Sequence, residues 1–518
     1  MVRLTTIVAV LAVAGSMAAA DPGRAQRPRV TVDVPPSGVG GRLVTVPAGG
    51  NLQAVLDDAR RGDVIVLRAG ATFMGPLRLP RVPGDGWIEI RSSEADDLPP
   101  GRRIGPDDAS KMARIVGGDG SVAAVRAEAG VHHVRFVGIE FTVTPGVYNT
   151  GLVRFGTGQE TSEAELPHHL VIDRCWIHGD PATGGKRGLS LNARHVAVVD
   201  SYFSDWKRAG QDTTAISGWN GPGPFKIANN YLEAAGINVL FGGGDAIIRD
   251  LVPSDIEITR NYFSKPLSWR KERWTVKNLF ELKNARRVLV SNNIFEHTWG
   301  QAQAGTAILL SPRNQDGGAP WSRVEDVTFI DNVVRGAASG IKISGSDDTH
   351  PSGQTRRILI GNNLFEDIDG RAWGGNGRLF TLLRRTDGVV IEHNTAFPTG
   401  TFVSVDGPPH TGFILRNNIA RLGEYGIKGT GLRIGMPTLR GMFPDARVEG
   451  NVFIGRADGI YPPGNIVVGS LKDVGFVDAD RHDWRLHPGS RFKSKANGRD
   501  PGIDAERIES LRLPARRR

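Results

Sequence analysis

The stretch RVLVSNNIFEHTW (Arg287–Trp299) recurs as RILIGNNLFEDID (Arg357–Asp369), and the fold follows from this repetition. In each copy, apolar side chains stand at or beside alternate positions. Two polar residues that favour a turn come next, and an apolar–aromatic pair ends the phrase. Alternation over so few residues is typical of a strand and is too short for a helix. The sequence therefore predicts a repeated unit of two short strands separated by a tight turn.

The same phrase occurs eleven times between His133 and Ile454. Its turn position reads Ile139, Cys175, Ser201, Asn230, Asn261, Asn293, Asn332, Asn363, Asn394, Asn418 and Asn451, at spacings of 24 to 39 residues. Such a period predicts stacked repeat units rather than independent domains. Propeller blades, leucine-rich repeats and helical repeats do not fit the phrase. An all-β solenoid fits it, with three short parallel strands in each coil. At about 4.8 Å per coil, ten steps give a rod of about 50 Å.

The asparagine column is predicted to be structural rather than catalytic. Asparagine tolerates the left-handed backbone that a tight bend between strands demands. Stacked in register, its amide can also donate and accept hydrogen bonds along the axis of the coil.

Both ends of the repeat region contain candidate caps. Asn51–Arg61 is predicted to form a short amphipathic helix that ends at Gly62, before a strand at Val64–Leu67. Such a helix would cover the open strand edge of the first coil, which is otherwise an aggregation hazard. Asp473–Asp504 is polar and rich in Gly and Pro, and it is predicted to cover the last coil.

Residues 1–20 are predicted to be a cleavable secretory signal. They contain Arg3, an apolar run at Ile7–Val13 and small residues at Ala18–Ala20. No later segment has the roughly twenty apolar residues of a membrane span. The predicted organisation is a signal at 1–20, a linker at 21–43, a β-helix with terminal caps at 44–504 and a basic tail at 505–518. A secreted or periplasmic monomer is expected.

Composition excludes several other classes of protein. Cys175 is the one cysteine among 518 residues, so neither an internal disulfide nor a multi-cysteine metal site is available. The formal net charge of +9 favours a polyanionic partner. Nucleic acid is disfavoured because no nucleic-acid-binding motif accompanies the charge. An acidic polysaccharide is the predicted partner.

The chain resembles the secreted right-handed parallel β-helix proteins of the pectate-lyase-like superfamily. The resemblance rests on LQAVLDDARRGDVIVLRAGATF (Leu52–Phe73), on the repeated Asn-Asn-apolar-Phe turns and on DWRLHPGS (Asp483–Ser490). It covers roughly Val44 to Asp504. It implies a single-stranded right-handed parallel β-helix with a short N-terminal capping helix. It does not choose between lyases, hydrolases, epimerases and non-catalytic surface proteins, because a shared fold does not fix activity.

The resemblance implies that a sugar chain binds on the strand preceding each asparagine phrase. Alternation places Leu282, Leu310, Ile341, Ile343 and Leu382 inside and leaves the intervening side chains outside. The outward residues include Glu281, Lys283, Ser311, Lys342, Ser344, Thr381, Ser404 and Asp406, and the loops beyond add Arg313, Asn314, Asp316, Asp347, Asp348 and His350. This is the densest ionisable cluster that the predicted register produces.

This cluster suits elimination from a uronate, which needs a cation beside the substrate carboxylate and a base for the neighbouring proton. Lys342, crowded by Lys283 and Arg313, is the predicted base, with Glu281 as the fourth catalytic candidate. Ser311 and Ser344 are predicted to bind substrate. Ca²⁺ is the predicted cofactor, because Asp316, Asp347 and Asp348 offer the oxygen ligands it prefers. The alternative interpretation is a cross-strand ladder of ion pairs of modest value.

Tryptophans in the predicted loops are a second candidate for substrate binding. Sugar rings stack on exposed aromatic faces, and the residues predicted to do so are Trp269, Trp274, Trp299 and Trp373, with Arg270 beside them. The alternative is that these rings pack against the flank of the coil.

The predicted function is a lyase or epimerase acting on an acidic, uronate-containing glycan. A non-catalytic glycan-binding or surface-structure protein is the alternative, and a glycoside hydrolase is a further one. The polygalacturonase-like Asp-Asp-Cys segment is absent, since Thr349 follows Asp347 and Asp348, and no histidine lies between two glycines.

Overall fold

The computed structural model describes residues 24–38, 41–456, 459–496 and 498–512. The chain winds through three long parallel sheets of 14, 12 and 14 strands, with one strand of each coil in each sheet. The prediction of an all-β parallel β-helix is therefore confirmed. The predicted signal at 1–20 and residues 513–518 of the predicted tail lie outside the described residues.

The strands and helices are as follows. The first sheet contains Leu43–Val46, Val64–Leu67, Ile88–Ser92, His132–Val137, His168–Asp173, Arg194–Val199, Phe225–Ala228, Ser254–Thr259, Ala285–Ser291, Val324–Ile330, Arg356–Gly361, Asp387–Glu392, Ile414–Arg416 and Arg447–Glu449. The second sheet contains Leu77–Arg78, Val125–Ala127, Val153–Phe155, Arg187–Leu191, Thr214–Gly218, Ile237–Phe241, Phe280–Leu282, Thr306–Leu310, Ser339–Ser344, Phe380–Leu383, Val403–Asp406 and Ile427–Gly429. The third sheet contains Thr72–Met74, Ala113–Gly117, Ile139–Val143, Trp176–His178, Tyr202–Trp206, Tyr231–Ala234, Tyr262–Ser264, Ile294–Thr298, Val333–Ala337, Leu364–Ile368, Thr395–Pro398, Ile419–Arg421, Val452–Ile454 and Ile466–Val468. An antiparallel pair joins Phe476–Asp478 to Asp483–Leu486. The α-helices are Leu52–Asp57, Gly370–Trp373, Met436–Met442 and Ala505–Arg512, and 3₁₀ turns lie at Ala95–Asp97, Pro106–Lys111, Glu163–Glu165, Leu267–Lys271 and Leu471–Val474.

The eleven predicted phrases are the last eleven strands of the first sheet, each followed by its third-sheet strand. Three earlier coils precede them and lack the asparagine turn. Fourteen strands make thirteen steps, so the rod is about 62 Å long at about 4.8 Å per step. Alternate apolar side chains point inward as predicted, and Val288, Val290 and Phe295 are fully buried in one core that continues along the rod. A solenoid of this kind buries its apolar face only by stacking neighbouring coils.

The asparagine column forms the predicted ladder. Oδ1 of Asn293 accepts from the backbone N of Asn261 at 2.8 Å and from its Nδ2 at 3.0 Å, and the pattern repeats coil after coil. The ladder runs from Ser201 to Asn465, one coil beyond the predicted column. The backbone explanation was wrong by one position. The left-handed residue is the one before the ladder asparagine, such as Asn292 with φ 57°.

The first end is capped as predicted, but the helix is shorter than predicted. It spans Leu52–Asp57, with Asn51 capping its first turn through a 3.1 Å bond from the N–H of Ala54. The strand Val64–Leu67 is confirmed.

Helix Met436–Met442 closes the open end of the core, which its Leu439 and Met442 join. The predicted cap at Asp473–Asp504 packs on the last coils from the side, since its Leu486 and Phe492 contact Val452 and Val468. The C-terminal segment folds back along the outer face of the third sheet, where Trp484 packs against Val333 and Leu364. Apolar side chains that point outward from that sheet explain this arrangement, because they need a cover. Residues 505–512 of the predicted tail belong to this cover as a helix.

Residues 24–38, within the predicted linker, form a strap along the outer face of the first sheet. The backbone N of Arg29 donates to Asp255 at 2.8 Å, and Ser37 donates to Glu89 at 2.8 Å. Between these points Val32 packs on Val171 and Ala197. The first and third sheets are therefore both covered on their outer faces by segments of the same chain. Among the described residues, no helix is long and apolar enough to cross a membrane.

Candidate functional site

The outer face of the second sheet carries one column of side chains in register from coil to coil. In spatial order the column is Arg78, Arg126, Arg154, Ser190, Ser217, Leu240, Glu281, Leu309, Lys342, Thr381, Ser404 and Lys428. Strands that pair in parallel bring equivalent positions about 4.8 Å apart. The column thus begins with three stacked arginines and becomes uncharged before Glu281.

A pocket of about 310 Å³ opens over the cationic end of this column. Its lining residues are Ser121, Thr150, Gly151, Arg154, Gly156, Thr157, Lys186, Arg187, Ser190, Asn192 and Trp219. The guanidinium of Arg187 lies 5.1 Å from the centre of the Trp219 ring, in cation–π contact. The pocket therefore offers positive charge, hydroxyl and amide groups, and one half-exposed aromatic ring.

The charged residues of the pocket are all cations. Within the described part of the chain, Arg154, Lys186 and Arg187 have no acidic partner, and Arg154 donates instead to the carbonyl of Gly151 at 3.1 Å. Burial, together with the charges of Arg126 and Arg187, lowers the pKa of the Arg154 guanidinium. Burial likewise lowers the pKa of Arg187. Like charges held together at a half-buried site favour binding of an anion, which would relieve their repulsion.

Two further polar atoms near the pocket have no partner in the described structure. Both Nε of Arg126 and Nδ2 of Asn192 are buried without a hydrogen bond. Buried donors are normally satisfied, so each such atom is a place where a bound group gains a hydrogen bond.

The four predicted tryptophans come together, but as a packed cluster. Trp269, Trp274, Trp299 and Trp373 are between 4% and 8% exposed and pack with Ala235, Val276 and Ala338. Cations cover the ring faces, with Lys207 5.1 Å from Trp269 and Arg270 4.9 Å from Trp373. These four rings lack the exposed faces that sugar stacking requires. They match the alternative, in which the rings pack against the flank of the coil.

The predicted catalytic residues lie further along the same sheet. Glu281 is 1% exposed, accepts from the side chain of Asn278, and lies 3.4 Å from the ammonium of Lys283. Leu309 separates Glu281 from Lys342 in the column, so these two side chains are two coils apart. Ser311 follows the strand end beside Lys283, rather than lying between Glu281 and Lys342 in the column.

Two other predicted site residues, Ser344 and Arg313, form hydrogen bonds or ion pairs within the protein. Ser344 is 1% exposed and donates to the carbonyl of Ser346 at 2.9 Å. Arg313 pairs with Asp347 at 3.0 Å and with Asp348 at 2.8 Å. Burial opposes ionisation of Asp347, but N–H donors from Asn314 and Thr349 together with Arg313 lower its pKa. The carboxylate of Asp347 thus links its own loop, after the strand Ser339–Ser344, to the loop that contains Arg313 and Asn314.

The predicted calcium ligands are not preassembled. Asp316 is exposed, Asp347 is saturated by donors, and Asp348 is half exposed and paired with Arg313. These three carboxylates do not converge within 4.8 Å of one another, the separation at which side chains could share an ion. Ca²⁺ remains a prediction.

Sequence reasoning missed the cationic pocket. Arg126 and Arg154 lie on the three-residue strands VRA and VRF, which are too short to show alternation. The one available signal was an arginine between two apolar residues in each of two successive repeats.

The sequence matches no protein-family model and no curated protein. By fold, the chain is similar to the PL6 family alginate lyase AlyGC, with a TM-score of 0.52 and 13% identity over 90% of this chain and 58% of that one. It is also similar to a mannuronic acid specific family 6 lyase from human gut microbiota, with 13% identity, a TM-score of 0.42 and coverage of 91% and 95%. A third similar structure is the tailspike protein of E. coli bacteriophage HK620, with 12% identity, a TM-score of 0.45 and coverage of 81% and 62%.

At these identities the likeness concerns the fold. The chain is a parallel β-helix, the fold that the sequence resemblance implied. It spans 58% of the length of the alginate lyase structure. Its particular feature is a pocket on the second sheet whose cations have no acidic partner among the described residues.

Proposed function

We propose that the protein binds an acidic, uronate-containing polysaccharide along the outer face of the second sheet and cleaves it by β-elimination. The observation that carries the proposal is the pocket in which Arg154, Lys186 and Arg187 have no acidic partner among the described residues. A polymer with one carboxylate per sugar supplies a charge for each cation and can continue along the groove. The predicted secretory signal agrees with action outside the cytoplasm.

The pocket contains the groups that elimination requires. Arg154 and Arg187 neutralise the carboxylate next to the carbon that loses its proton, which stabilises the charge developing there. Lys186 is the candidate base in its neutral form, and the proton passes to its Nζ as the adjacent C–O bond breaks. The leaving oxygen takes a proton from water or from Ser190. The product then has a new double bond conjugated with the carboxylate.

Lys342 remains a second candidate base on the same sheet. The strand Ser339–Ser344 lies five steps from Arg187–Leu191, a separation of about 24 Å. A long substrate spans both places. Substitution of each lysine by Met therefore distinguishes a catalytic pocket from a binding subsite.

The first test is activity on defined polymers. Purified protein is incubated with polymannuronate, polyguluronate, polygalacturonate and neutral dextran, with Ca²⁺ or with EDTA, and unsaturated ends are followed by ultraviolet absorbance. Product from one acidic polymer and none from dextran is expected. Loss of product in K186M places the base in the pocket, and loss in K342M alone places it at the predicted cluster.

The second test is affinity. The double variant R154A/R187A is expected to bind the acidic polymer at least tenfold more weakly, with a weaker dependence on salt, because two charge contacts are removed. Arg481→Ala is the matched control, since that arginine is 88% exposed and lies on the C-terminal segment, away from the second sheet. Equal affinity of both variants and the parent protein would contradict the proposal.

A non-catalytic binder is the second candidate function. The observation that favours it is the separation of Glu281 from Lys342 by Leu309, together with the internal pairing of Asp347. This function predicts binding that depends on Arg154 and Arg187 without product under any metal condition. A hydrolase would instead release reducing ends without ultraviolet absorbance.

A further inference from the structure

Five histidines form a ladder on the outer face of the first sheet, away from the groove. Two consecutive strands begin with paired histidines, His132–His133 and His168–His169, and the next strand places His195 beside them. His132 and His168 are register partners.

The backbone explains why adjacent histidines share one face. His133, His169 and His195 have φ values of 48°, 53° and 52°, in the left-handed region. Such a residue interrupts the alternation of a strand, so neighbouring side chains turn to the same side. The same strand position is left-handed in later coils, as at Asp255 with φ 58° and Arg287 with φ 50°, so the conformation belongs to the coil and the histidines occupy it in three consecutive repeats.

The rings are held in close stacks. Ring centres lie 4.9 Å apart for His132 and His168, 4.3 Å for His133 and His169, and 4.5 Å for His169 and His195. Within each pair the Nδ1 atoms face each other, at 2.8 Å between His132 and His133 and at 2.7 Å between His168 and His169. One ligand atom from each of His132, His133 and His168 lies within 4.8 Å of the other two.

We infer that His132, His133 and His168, with His169 and His195 beside them, bind a divalent transition-metal ion of the zinc or copper type. Neutral imidazole nitrogen is a preferred ligand of Zn²⁺, Cu²⁺ and Ni²⁺, whereas Ca²⁺ requires oxygen. A tetrahedral zinc with Zn–N bonds of about 2.0 Å separates its nitrogens by about 3.3 Å. The Nδ1 pair of His132 and His133 therefore needs to open by about half an ångström, which a rotation of the partly exposed rings supplies.

Arg61 and His195 are the neighbours that bear on an ion at this site. Nη2 of Arg61 lies 2.8 Å from Nε2 and 3.1 Å from Nδ1 of His132, so its positive charge opposes the ion and the guanidinium has to move aside when a metal binds. Nδ1 of His195 is buried without a partner in the described structure, which leaves a further nitrogen for the ion.

Such an ion would join strands of consecutive coils near the N-terminal end. Binding to the folded chain and not to the unfolded chain raises stability by mass action. This inference is independent of the glycan proposal, because the two sites lie on different sheets.

The test uses the tag-free full chain, stripped of metal and titrated with Zn²⁺, with Cu²⁺ and with Ca²⁺ as the negative control. Calorimetry is expected to give one tight equivalent of Zn²⁺, no binding of Ca²⁺ and a higher melting temperature with zinc. The Cu²⁺ form is expected to show nitrogen hyperfine splitting from at least two imidazoles in its electron paramagnetic resonance spectrum. That spectrum is recorded on the parent protein, so it does not depend on the folding of any variant.

The variants H132Q/H168Q and H487Q complete the test. The double variant is expected to weaken Zn²⁺ binding at least tenfold and to lose the thermal shift. H487Q, which alters an exposed histidine of the C-terminal segment, is expected to leave both unchanged. Absence of tight Zn²⁺ binding, oxygen-only ligation of Cu²⁺, or equal binding by the two variants overturns the inference. Far-ultraviolet circular dichroism verifies that each variant is folded.

Discussion

Asn293 provides a direct measure of what the asparagine ladder contributes to stability. Its Oδ1 is the acceptor for the backbone N–H of Asn261, and its Nδ2 donates to Ile258 O at 2.8 Å and to Asn332 Oδ1 at 3.0 Å. In N293A the N–H of Asn261 is left buried without an acceptor, and the bonds to Ile258 and Asn332 are lost. An orphaned buried donor costs about 1–3 kcal/mol and each further bond about 1 kcal/mol. The expected loss is about 3–5 kcal/mol.

The chain itself supplies the matched control, because Ser201 occupies the same column. Its Oγ accepts from the N–H of Cys175 at 3.0 Å and donates to Val199 O at 2.8 Å. A serine at position 293 therefore keeps an acceptor for Asn261 and a bond to the carbonyl of Ser291, and it loses the bonds to Ile258 and Asn332. N293S is expected to cost about 2 kcal/mol less than N293A.

The assay is urea unfolding, followed by circular dichroism and tryptophan fluorescence in parallel. Midpoints are expected in the order parent, N293S, N293A, with similar slopes. If N293A matched N293S, the ladder would stabilise the fold through side-chain packing alone, and the hydrogen-bond argument would be refuted.

Three further predictions concern buried groups and the strap. Burial lowers the pKa of His410 to about 4, so the folded state resists the proton that the unfolded state takes up near pH 6.5. Stability is therefore full above pH 6.5 and falls by up to about 3 kcal/mol towards pH 4. H410N, which keeps an acceptor for the N–H of Thr386, should flatten that part of the pH profile of urea midpoints. Lys265 is fully buried and its Nζ lies 2.7–3.1 Å from five oxygens that share its three donors, so K265M should lose about 3 kcal/mol or more in the same assay, whereas a neutral effect would show that those oxygens find other donors. V32D places a charge on the apolar bed of Val171 and Ala197, and hydrogen exchange should then be fast across residues 24–38 but unchanged in the core.

The repetition predicted the fold because each coil poses the same physical problem. The Asn293 and Asn363 phrases specify two strands and a turn, and only stacking buries their apolar faces. The three coils before His132 were harder to recognise, since they lack the asparagine that aligned the others. The covers were not predictable for a different reason. Whether Trp484 lies over the last coil or along the third sheet depends on contacts between distant segments, which periodicity does not encode.

The candidate site likewise has a part that the sequence predicted and a part that it could not. Alternation correctly placed Lys342 outside and Leu310 inside, because the strand period fixes the face. It could not give the coil-to-coil register that inserts Leu309 between Glu281 and Lys342, since loops of unequal length separate the strands. The burial of Trp373 likewise depends on a neighbouring loop. In the sequence, Trp373 lies in a predicted loop, where an exposed aromatic residue would also lie. Its burial is evident from the folded structure alone.

The distribution of paired charge is the strongest reason to place function on the second sheet. On the first sheet Arg287 pairs with Asp255, and Arg357 pairs with Asp326, each at 2.7 Å, and the strap crosses the same stack. On the third sheet the C-terminal segment buries the outward apolar side chains. Where a charge has only a structural role, an opposite charge on the next coil is an available partner, since every position recurs about 4.8 Å away. The arginines at 126, 154 and 187 lack such partners in the described structure although stacking offers the positions. This is the basis for the proposal that they serve a partner from outside the chain, since a polyanion that follows the axis of the coil would meet all three.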